Sequence, residues 1–351
     1  MAKLIISLDG GGMRGLLAVS ILSHLEKQLG FDLTSGADLV GGASTGGIVA
    51  FCKALGIPTI GLENLYSGLG SLIFGGFSST RAASVTVKEN TDKLEQQMLA
   101  MFGSFSRLSK FKPTNSKLFV ITSSRQVTST GESVDLDSVH HPYTLEILAN
   151  YSSTKRPDTT LSVVETIRAT GALPFYLNPF IRDGKEYVDG GVLLNNTASI
   201  ALEEAKQLFG DTEKLIIISI GTGYYNNNNN TNNNNSKLIE KITNNLLTNN
   251  NNNKNNNIII NLTKTFQDSL FKSHQQHLEN VELFKQQNNV SYFRFDVELD
   301  RVIDIDDHDT TDIHNLKHLA SLYLDNPNTK ESVAQLLQVL QETNIIGRSS
   351  A

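Results

Sequence analysis

A serine between glycines, at the junction of a strand-like and a helix-like segment, limits the folds open to this chain more than any other feature. The segment Asp38–Gly47 (DLVGGASTGG) contains G-x-S-x-G as Gly42, Ser44 and Gly46, and a helix-like run from Ile48 to Leu55 follows. A serine at a sharp strand-to-helix turn has a strained backbone and a presented hydroxyl. The free N–H groups at the start of the helix face that hydroxyl oxygen. The pattern is typical of a nucleophilic serine, and also of a Gly/Ser-rich turn without chemistry.

A glycine-rich loop near the N-terminus is the second feature with chemical consequences. The strand-like Lys3–Leu8 leads into Asp9–Gly15 (DGGGMRG), and the following residues, Leu16–Leu29, have helical periodicity. Strand, glycine loop and helix form an anion-binding arrangement because consecutive backbone N–H groups lie at a helix N-terminus. Two interpretations fit. The loop is either a dinucleotide-binding G-x-G-x-x-G or an oxyanion hole for an ester carbonyl attacked by Ser44.

The acidic residues after this loop favour the oxyanion hole. A dinucleotide loop is followed by an acidic residue that ends the second strand and contacts the ribose. Here Asp32 lies in a loop-like stretch, and Asp38 leads into the strand that ends at Ser44. The sequence contains no Gly-Lys-Ser/Thr, which excludes a P-loop. We prefer the oxyanion hole because it uses both glycine motifs in one reaction.

The third motif is Asp189-Gly190-Gly191. It follows the strand-like Lys185–Val188, and a helix-like run from Thr197 to Leu208 begins shortly after it. Alone, Asp-Gly-Gly is typical of a tight turn. In combination with the serine turn and the glycine loop, it becomes a candidate for the general base that an unactivated serine requires.

The three motifs, in this order, resemble those of the patatin-like phospholipases. They are D-G-G-G-x-R-G at Asp9–Gly15, G-x-S-x-G at Gly42–Gly46 and D-G-G at Asp189–Gly191. Two further segments, Ala169–Tyr176 (ATGALPFY) and Leu215–Gly223 (LIIISIGTG), are similar to other segments of that family. The resemblance covers roughly residues 3–223 and is weaker beyond them.

The resemblance implies a lipid acyl hydrolase that uses a Ser–Asp dyad without a histidine. Ser44 is then the nucleophile, Asp189 the base, and the amides of Gly10, Gly11 and Gly12 the oxyanion hole. The supporting motif residues are Arg14, Gly15, Gly42, Gly46, Gly190 and Gly191. Arg14 either locks the glycine loop or faces a lipid phosphate, and we expect locking. The implied substrate is a glycerolipid ester, reached by transient contact with a membrane or lipid surface, and no metal or organic cofactor is implied.

Two alternatives concern the reaction itself. An α/β-hydrolase triad would combine Asp189 with a later histidine, the candidates being His274, His277, His308, His314 and His318. That fold places several sheet elements between its oxyanion loop and its serine turn, whereas here the glycine loop directly follows the first strand. The second alternative is a catalytically silent lipid-binding or scaffold protein of the same fold. Intact Ser44, Asp189 and loop glycines argue against it.

The order of elements predicts an α/β fold with an open, mostly parallel central sheet and helices on both faces. A β-α-β-α start is formed by Lys3–Leu8, Leu16–Leu29, Ala37–Gly41 and Thr45–Leu55. Catalytic residues at the carboxyl ends of such strands agree with the crevice rule for open sheets. We expect three regions: a catalytic core at 3–223, an asparagine-rich disordered insertion at 224–257, and C-terminal helices and a strand at 258–346 packed on the core.

Gly61–Phe77 mixes large apolar residues with glycines and has two interpretations. It is a helix from Leu62 to Phe74 packed on the sheet, which we prefer, or a mobile apolar cap that touches lipid. The other predicted helices are Asn90–Phe102, Ser162–Thr170, Ile258–Lys285, Asp312–Leu324 and Thr329–Thr343, with a fragment at Ser236–Leu247. The remaining predicted strands are Lys117–Thr122, Tyr143–Ala149 and Val290–Val297.

Composition excludes several other classes of function. The net charge of −6 is dispersed, so no basic patch predicts nucleic-acid binding. The pair His140-His141 has no carboxylate at ligand spacing, and Asp304–Asp309 lacks the glycine that a calcium loop needs at its sixth position. We expect the latter to be a solvated loop, with Thr311 or Asp312 as N-cap. The apolar run Leu4–Leu8 is too short for a signal peptide, which predicts a cytoplasmic protein able to associate peripherally with membranes or lipid droplets.

Overall fold

The apolar strand near the N-terminus, β1 (Lys3–Leu8), lies in the interior of the sheet, between β2 (Leu39–Ala43) and β7 (Leu215–Ile220). Five of its six residues are buried, which explains why its sequence is apolar throughout. The structure is a computed structural model that describes residues 1–73, 83–112, 114, 116–127, 143–153, 158–225, 253–299, 303–306 and 308–346. The predicted His140-His141 pair and the fragment Ser236–Leu247 lie outside these residues.

The remaining strands are β3 (Lys117–Gln126), β4 (Thr144–Ala149), β5 (Phe180–Arg182), β6 (Lys185–Asp189) and β8 (Val290–Phe295). The helices are α1 (Gly15–Leu29), α2 (Leu33–Gly36), α3 (Thr45–Ala54), α4 (Thr59–Ile73), α5 (Ala83–Phe102), α6 (Val163–Thr170), α7 (Ala198–Phe209), α8 (Asn253–Lys285), α9 (Thr310–Asp325) and α10 (Pro327–Glu342). Short 3-10 turns form at Gly12–Arg14, Leu108–Lys110 and Gly190–Val192.

All eight strands form one open sheet in the order β5-β6-β3-β2-β1-β7-β8, with β4 also paired to β3. The pairs β3-β2, β2-β1, β1-β7 and β7-β8 are parallel, whereas β4, β5 and β6 make antiparallel pairs. The sheet is therefore mixed and mostly parallel. This confirms the predicted fold class.

Alternating side chains of the central strands fill a core on each face of the sheet. Leu4, Ile6 and Leu8 of β1 point into the larger core, which α1, α3, α5 and the C-terminal helices cover. Ile5 belongs to the second core, where α7 and Phe284 of α8 pack on the sheet. Helices thus cover both faces, as the β-α-β-α order predicts. In the described part of the chain, no helix combines the length and apolar character needed to cross a bilayer.

The C-terminal strand extends the central sheet. β8 pairs with β7 over six positions, from Val290 opposite Leu215 to Phe295 opposite Ile220. The division into a core at 3–223 and a C-terminal part at 258–346 stays a prediction. Residues after position 223 nevertheless contribute directly to the sheet that carries the candidate site.

Several predicted boundaries differ from the observed ones. The helix predicted to begin at Ile258 already begins at Asn253, and Tyr225 is buried, while the insertion at 224–257 stays a prediction. Asparagine is only a moderately poor helix former, so a helix established further along can propagate through it.

The cap of α9 is Asp309, which accepts a hydrogen bond from the Asp312 amide. It replaces the predicted Thr311 or Asp312 because its carboxylate reaches the third helical amide.

Candidate active site

Ser44 lies between the end of β2 and the start of α3, in a backbone conformation that non-glycine residues rarely adopt, with φ 53° and ψ −124°. Glycine is required on both sides of it. A Cβ on Gly42 would lie 2.6 Å from the Gly46 carbonyl carbon, and one on Gly46 would lie 2.4 Å from the Leu8 carbonyl oxygen. The Ser44 hydroxyl does not cap α3 and remains available for another partner.

That partner is the carboxylate of Asp189. Ser44 Oγ donates to Asp189 Oδ2 at 2.5 Å, and both side chains are buried. The register explains the meeting: Ala43 of β2 lies opposite Ile121 of β3, and Asp189 of β6 lies opposite the next residue, Thr122. Because β2 runs parallel and β6 antiparallel along the same edge of β3, the two strands end facing each other.

Burial sets the proton affinity of Asp189. Removal from water disfavours the charged carboxylate and raises its pKa to about 7, against the opposing effect of hydrogen bonds from Ser44 and from the Gly191 amide. The Gly191 bond measures 2.8 Å and fixes the second carboxylate oxygen, Oδ1. A Cβ on Gly190 would lie 2.3 Å from the Ile121 carbonyl oxygen. The D-G-G motif thus lets the chain turn closely against β3 while orienting the carboxylate.

Thr170, at the end of α6, holds the serine turn from the other side. Its Oγ1 accepts a hydrogen bond from the Ser44 amide at 3.0 Å and donates to the Ile121 carbonyl at 2.6 Å. All three groups are buried. The hydroxyl therefore satisfies a backbone amide in the strained turn that would otherwise be buried without a partner.

The glycine loop packs directly against the serine. A Cβ on Gly10 would lie 2.9 Å from Ser44 Cβ, and Gly12 has a positive φ of 56°. The amides of Met13 and Arg14 donate to the carbonyls of Ile305 and Gly11. In the residues that the structure describes, the amides of Gly10, Gly11 and Gly12 have no such acceptor. These three N–H groups are thus available for an oxygen of a ligand.

Arg14 is buried, and its guanidinium contacts other parts of the protein. Its guanidinium donates to Tyr225 Oη at 3.2 Å and to the Gly223 carbonyl at 3.3 Å. It therefore ties the glycine loop to the segment after β7, and of the two predicted roles this contact favours locking. Gly15 gives room to Tyr66, because a Cβ there would lie 2.0 Å from the Tyr66 hydroxyl.

An apolar pocket opens above Ser44. The cavity itself has a volume of about 60 Å³, within about 660 Å³ of space that includes open solvent, and Gly12 and Ser44 lie in its wall. The remaining wall comes from α3, α4, α5 and the segment after α6, through Ile48, Val49, Leu62, Leu65, Tyr66, Leu94, Leu173 and Leu177. A pocket with one polar end and apolar walls suits a fatty-acyl group attached to an ester. Gly61–Phe77 is helical as far as Ile73, as predicted, but this helix packs mainly on α1 and α5 and not on the sheet, and residues 74–77 lie outside the described part.

The histidines of the alternative triad have other neighbours. His274 stacks on Tyr224, His277 lies 3.1 Å from the Tyr292 hydroxyl, and His308 contacts the Asp306 carbonyl. The position next to the Ser44 hydroxyl is occupied by Asp189. Within the described ranges, no three His, Cys, Asp or Glu side chains converge in a way that could hold a metal ion.

Sequence reasoning assigned no role to three buried side chains at this site: Thr170, Asn195 and Thr222. Thr170 contacts the serine turn, and the other two donate to the Gly10 carbonyl. Thr170 and Thr222 fall within the two segments, Ala169–Tyr176 and Leu215–Gly223, that resemble the family. A similar segment indicates that a residue belongs to the pattern, but the bond it makes depends on the fold.

Comparison with known proteins shows the family to which the chain belongs. The family model described as patatin-like phospholipase matches residues 6–202, which include both Ser44 and Asp189. The match covers more than half of the 351 residues, so the chain belongs to the patatin-like phospholipase family.

Individual relatives are similar over part of their length. Phospholipase A I of Arabidopsis thaliana is 27% identical over 269 residues, and the match covers 62% of this chain and 20% of the relative. The cGAMP-activated phospholipase of Pseudomonas aeruginosa is 28% identical over 62% of each chain. Calcium-independent phospholipase A2-gamma of Homo sapiens is 29% identical over 63% of this chain and 28% of the relative. The chain thus spans less than two thirds of each of these relatives. The crystal structure of VipD from Legionella pneumophila aligns over 92% of this chain at 13% identity, with a TM-score of 0.36.

Proposed function

We propose that this protein hydrolyses fatty-acyl esters of glycerolipids, as a phospholipase A or broader lipid acyl hydrolase. The observation that carries the proposal is the 2.5 Å hydrogen bond from Ser44 Oγ to Asp189 Oδ2 at the polar end of an apolar pocket. Three phospholipases among its relatives, and its membership of the patatin-like family, support the same reaction class.

In the first half of the reaction, Ser44 Oγ attacks the ester carbonyl carbon and Asp189 takes the hydroxyl proton. Negative charge develops on the carbonyl oxygen, where the amides of Gly10, Gly11 and Gly12 can donate to it. Each such donor typically contributes about 3 kcal/mol to lowering the barrier. The tetrahedral intermediate then expels the alcohol, which takes the proton from Asp189, and leaves an acyl group on Ser44.

The second half repeats these steps with water. Asp189 takes a proton from the water, whose oxygen attacks the acyl carbon, and the same amides stabilise the oxyanion. Collapse of this intermediate breaks the bond to Ser44 Oγ, which recovers the proton, and a fatty acid leaves. A carboxylate with a pKa of about 7 suits this cycle, because it accepts and returns a proton near neutral pH.

Replacement of the nucleophile tests the proposal. We expect Ser44→Ala to abolish fatty-acid release from a panel of defined phospholipids and galactolipids in vesicles, with products identified by mass spectrometry. Ser116→Ala is the matched control, since Ser116 is also buried but donates to the Thr34 carbonyl, away from the pocket. A fluorophosphonate should label the unmodified protein and Ser116→Ala, but not Ser44→Ala.

Two results would contradict the proposal. Full activity of Ser44→Ala would show that another group performs the chemistry. A correctly folded, unmodified protein that neither reacts with the fluorophosphonate nor releases fatty acid would instead indicate the lipid-binding or scaffold role.

A further inference from the structure

The carbonyl of Gly10 is held by two side chains from distant parts of the sequence. Asn195 Nδ2 donates to it at 3.0 Å and Thr222 Oγ1 at 2.6 Å, and both side chains are buried. Asn195 lies between β6 and α7, and Thr222 follows β7. A single loop carbonyl thus accepts hydrogen bonds from two buried side chains, one in the connection between β6 and α7 and the other in the segment after β7.

These two bonds also determine the direction of a neighbouring N–H group. In a planar trans peptide, the C=O of Gly10 and the N–H of Gly11 point in opposite directions. Glycines on both sides leave this peptide unit free to adopt many orientations, because neither has a Cβ to restrict it. Holding the carbonyl therefore fixes the Gly11 N–H, which is one of the loop amides available to a ligand.

Thr222 also fits closely over Gly11. A Cβ on Gly11 would lie 2.3 Å from Thr222 Oγ1, so the hydroxyl packs on the Gly11 α-carbon as well as bonding to Gly10. Thr222 lies beyond the residues that the family model matches, 6–202.

The loop that carries Thr222 is itself anchored at the carboxyl end of β8, through Asp296, the residue that follows the strand. The Gly223 amide donates to Asp296 Oδ1 at 2.7 Å, and a Cβ on Gly221 would lie 2.2 Å from the same carboxylate. Arg294 pairs with Asp296 and with Asp9, the residue before the glycine loop, both at 2.7 Å. Strand β8 and the residue that follows it thus hold both ends of the contact between Thr222 and Gly10.

We propose that Thr222 and Asn195 are positioning residues that orient the Gly10–Gly11 peptide so that the Gly11 N–H can bind the developing oxyanion. This inference rests on the proposed function, since it assigns Gly11 an oxyanion. The two side chains act through the backbone and not on the substrate. Their effect is thus expected on kcat rather than on KM, because the oxyanion exists only in the transition state and intermediate.

Thr222→Val is the direct test. The valine methyl would replace a hydroxyl that lies 2.6 Å from the Gly10 oxygen, which is too close for a carbon atom, so the peptide must turn away. We expect kcat for a defined phospholipid to fall at least tenfold, since complete loss of an oxyanion donor typically costs about 100- to 1000-fold, while KM changes less than about twofold. Thr222→Ser keeps the hydroxyl and should retain most of the activity.

Thr34→Val provides the matched control. Thr34 is a buried threonine whose Oγ1 donates to Asp32 at 2.7 Å, and it precedes β2 while Ser44 follows it. Its substitution removes an equivalent hydroxyl without touching the glycine loop, so kcat should stay close to that of the unmodified protein. Asn195→Ala is the second variant and should also lower kcat, which keeps the test decisive if Thr222→Val does not fold.

The amide resonance of Gly11 in protein labelled with ¹⁵N-glycine separates this inference from the proposed function. We expect it to shift in Thr222→Val and Asn195→Ala, and to stay in place in Thr222→Ser and Thr34→Val. If the unmodified protein hydrolyses no lipid, the proposed function fails, but the resonance still decides the positioning role. An unmoved Gly11 resonance, or loss of kcat in Thr222→Ser equal to that in Thr222→Val, would overturn the inference.

Discussion

Asp189 combines complete burial with few hydrogen-bond donors, whereas the carboxylate of an exposed aspartate is surrounded by water. Its carboxylate is completely buried, yet it accepts hydrogen bonds from only one hydroxyl and one amide. Burial raises its pKa to about 7, whereas an exposed aspartate with a pKa near 3.9 would be a poor base for a serine hydroxyl. At this scale, the removal of one carboxylate from water gives it the proton affinity near neutral pH that the proposed base requires.

The pH dependence of the reaction follows from the pKa of Asp189. The carboxylate must be ionised to accept the Ser44 proton, and its pKa of about 7 means that protonation removes the base as pH falls below that value. We expect kcat/KM to fall about tenfold per pH unit below pH ~7 and to reach a plateau above it. The measurement is hydrolysis of a soluble short-chain ester from pH 5 to 9, with circular dichroism at each pH to verify folding. Activity that stays constant from pH 5 to 7 would contradict Asp189 as the base.

Three helices, α3, α4 and α5, form most of the pocket wall around Ser44. Helix α3 carries Ser44 at its N-terminus and Ile48 one turn further, so nucleophile and pocket wall move as one unit. Helices α4 and α5 contribute Leu62 and Leu94 from the opposite side. The pocket is therefore bounded by regular elements, and its depth should limit the acyl chain that it accepts.

Narrowing this pocket should change the chain-length preference. Ile48→Phe adds volume to a wall residue that is only partly buried, so the helix itself should tolerate it. Each methylene group of the acyl chain that the narrowed pocket excludes loses about 0.8 kcal/mol of binding free energy, which corresponds to roughly fourfold in kcat/KM. We expect long-chain esters to lose activity while butyrate esters remain unaffected. The measurement is kcat/KM across esters of increasing chain length.

Leu99→Phe is the control for that experiment, because Leu99 lies on α5 with 56% of its surface exposed. It adds the same aromatic ring outside the pocket, so its chain-length profile should match that of the unmodified protein. An Ile48→Phe profile that also matches would mean that the acyl chain binds elsewhere.

Elements with a strong local pattern are the ones that sequence reasoning predicted well. The strand–glycine loop–helix at the N-terminus and the strand–serine–helix that follows it are both observed, with β2 shifted towards Ser44. The three-residue strand β5 (Phe180–Arg182) was not predicted, because a strand this short has no recognisable alternation. Its pairing with β6 depends on the hairpin context and not on its own residues.

The candidate site was predictable only where residues form a contiguous motif. The resemblance to the patatin-like family implies that Ser44 and Asp189 are partners, but their 2.5 Å contact depends on β2 and β6 ending at adjacent positions of β3. That register is set by tertiary packing between distant segments. The bonds of Asn195 and Thr222 to Gly10 depend on it in the same way, because they join residues from separate connections of the sheet. Their catalytic roles stay predictions until the variants are measured.

The sheet as a whole extends beyond the segment that defines the family. The family model ends at residue 202, whereas β7 lies between β1 and β8 and all six of its residues are fully buried. Residues of β7 alternate between the two cores, with Ile216 and Ile218 in one and Ile217 in the other. The matched segment is therefore an incomplete folding unit in this chain.

A fragment that ends at residue 202 should consequently fail to fold. It would lose β7, leaving β1 without its hydrogen-bonded neighbour over six positions and opening the core on both faces of the sheet. It would also lose Thr222 and the Arg294 pair with Asp9, and Asp9 would then be buried beside the glycine loop without its cation. We expect the full chain to unfold in one cooperative thermal transition, and the fragment 1–202 to be insoluble or to show none. Co-expression with the complementary fragment 203–351 should restore soluble protein, because it supplies β7 and β8. A soluble 1–202 fragment with a cooperative transition of its own would show that the N-terminal strands and helices form a sufficient core without the C-terminal part.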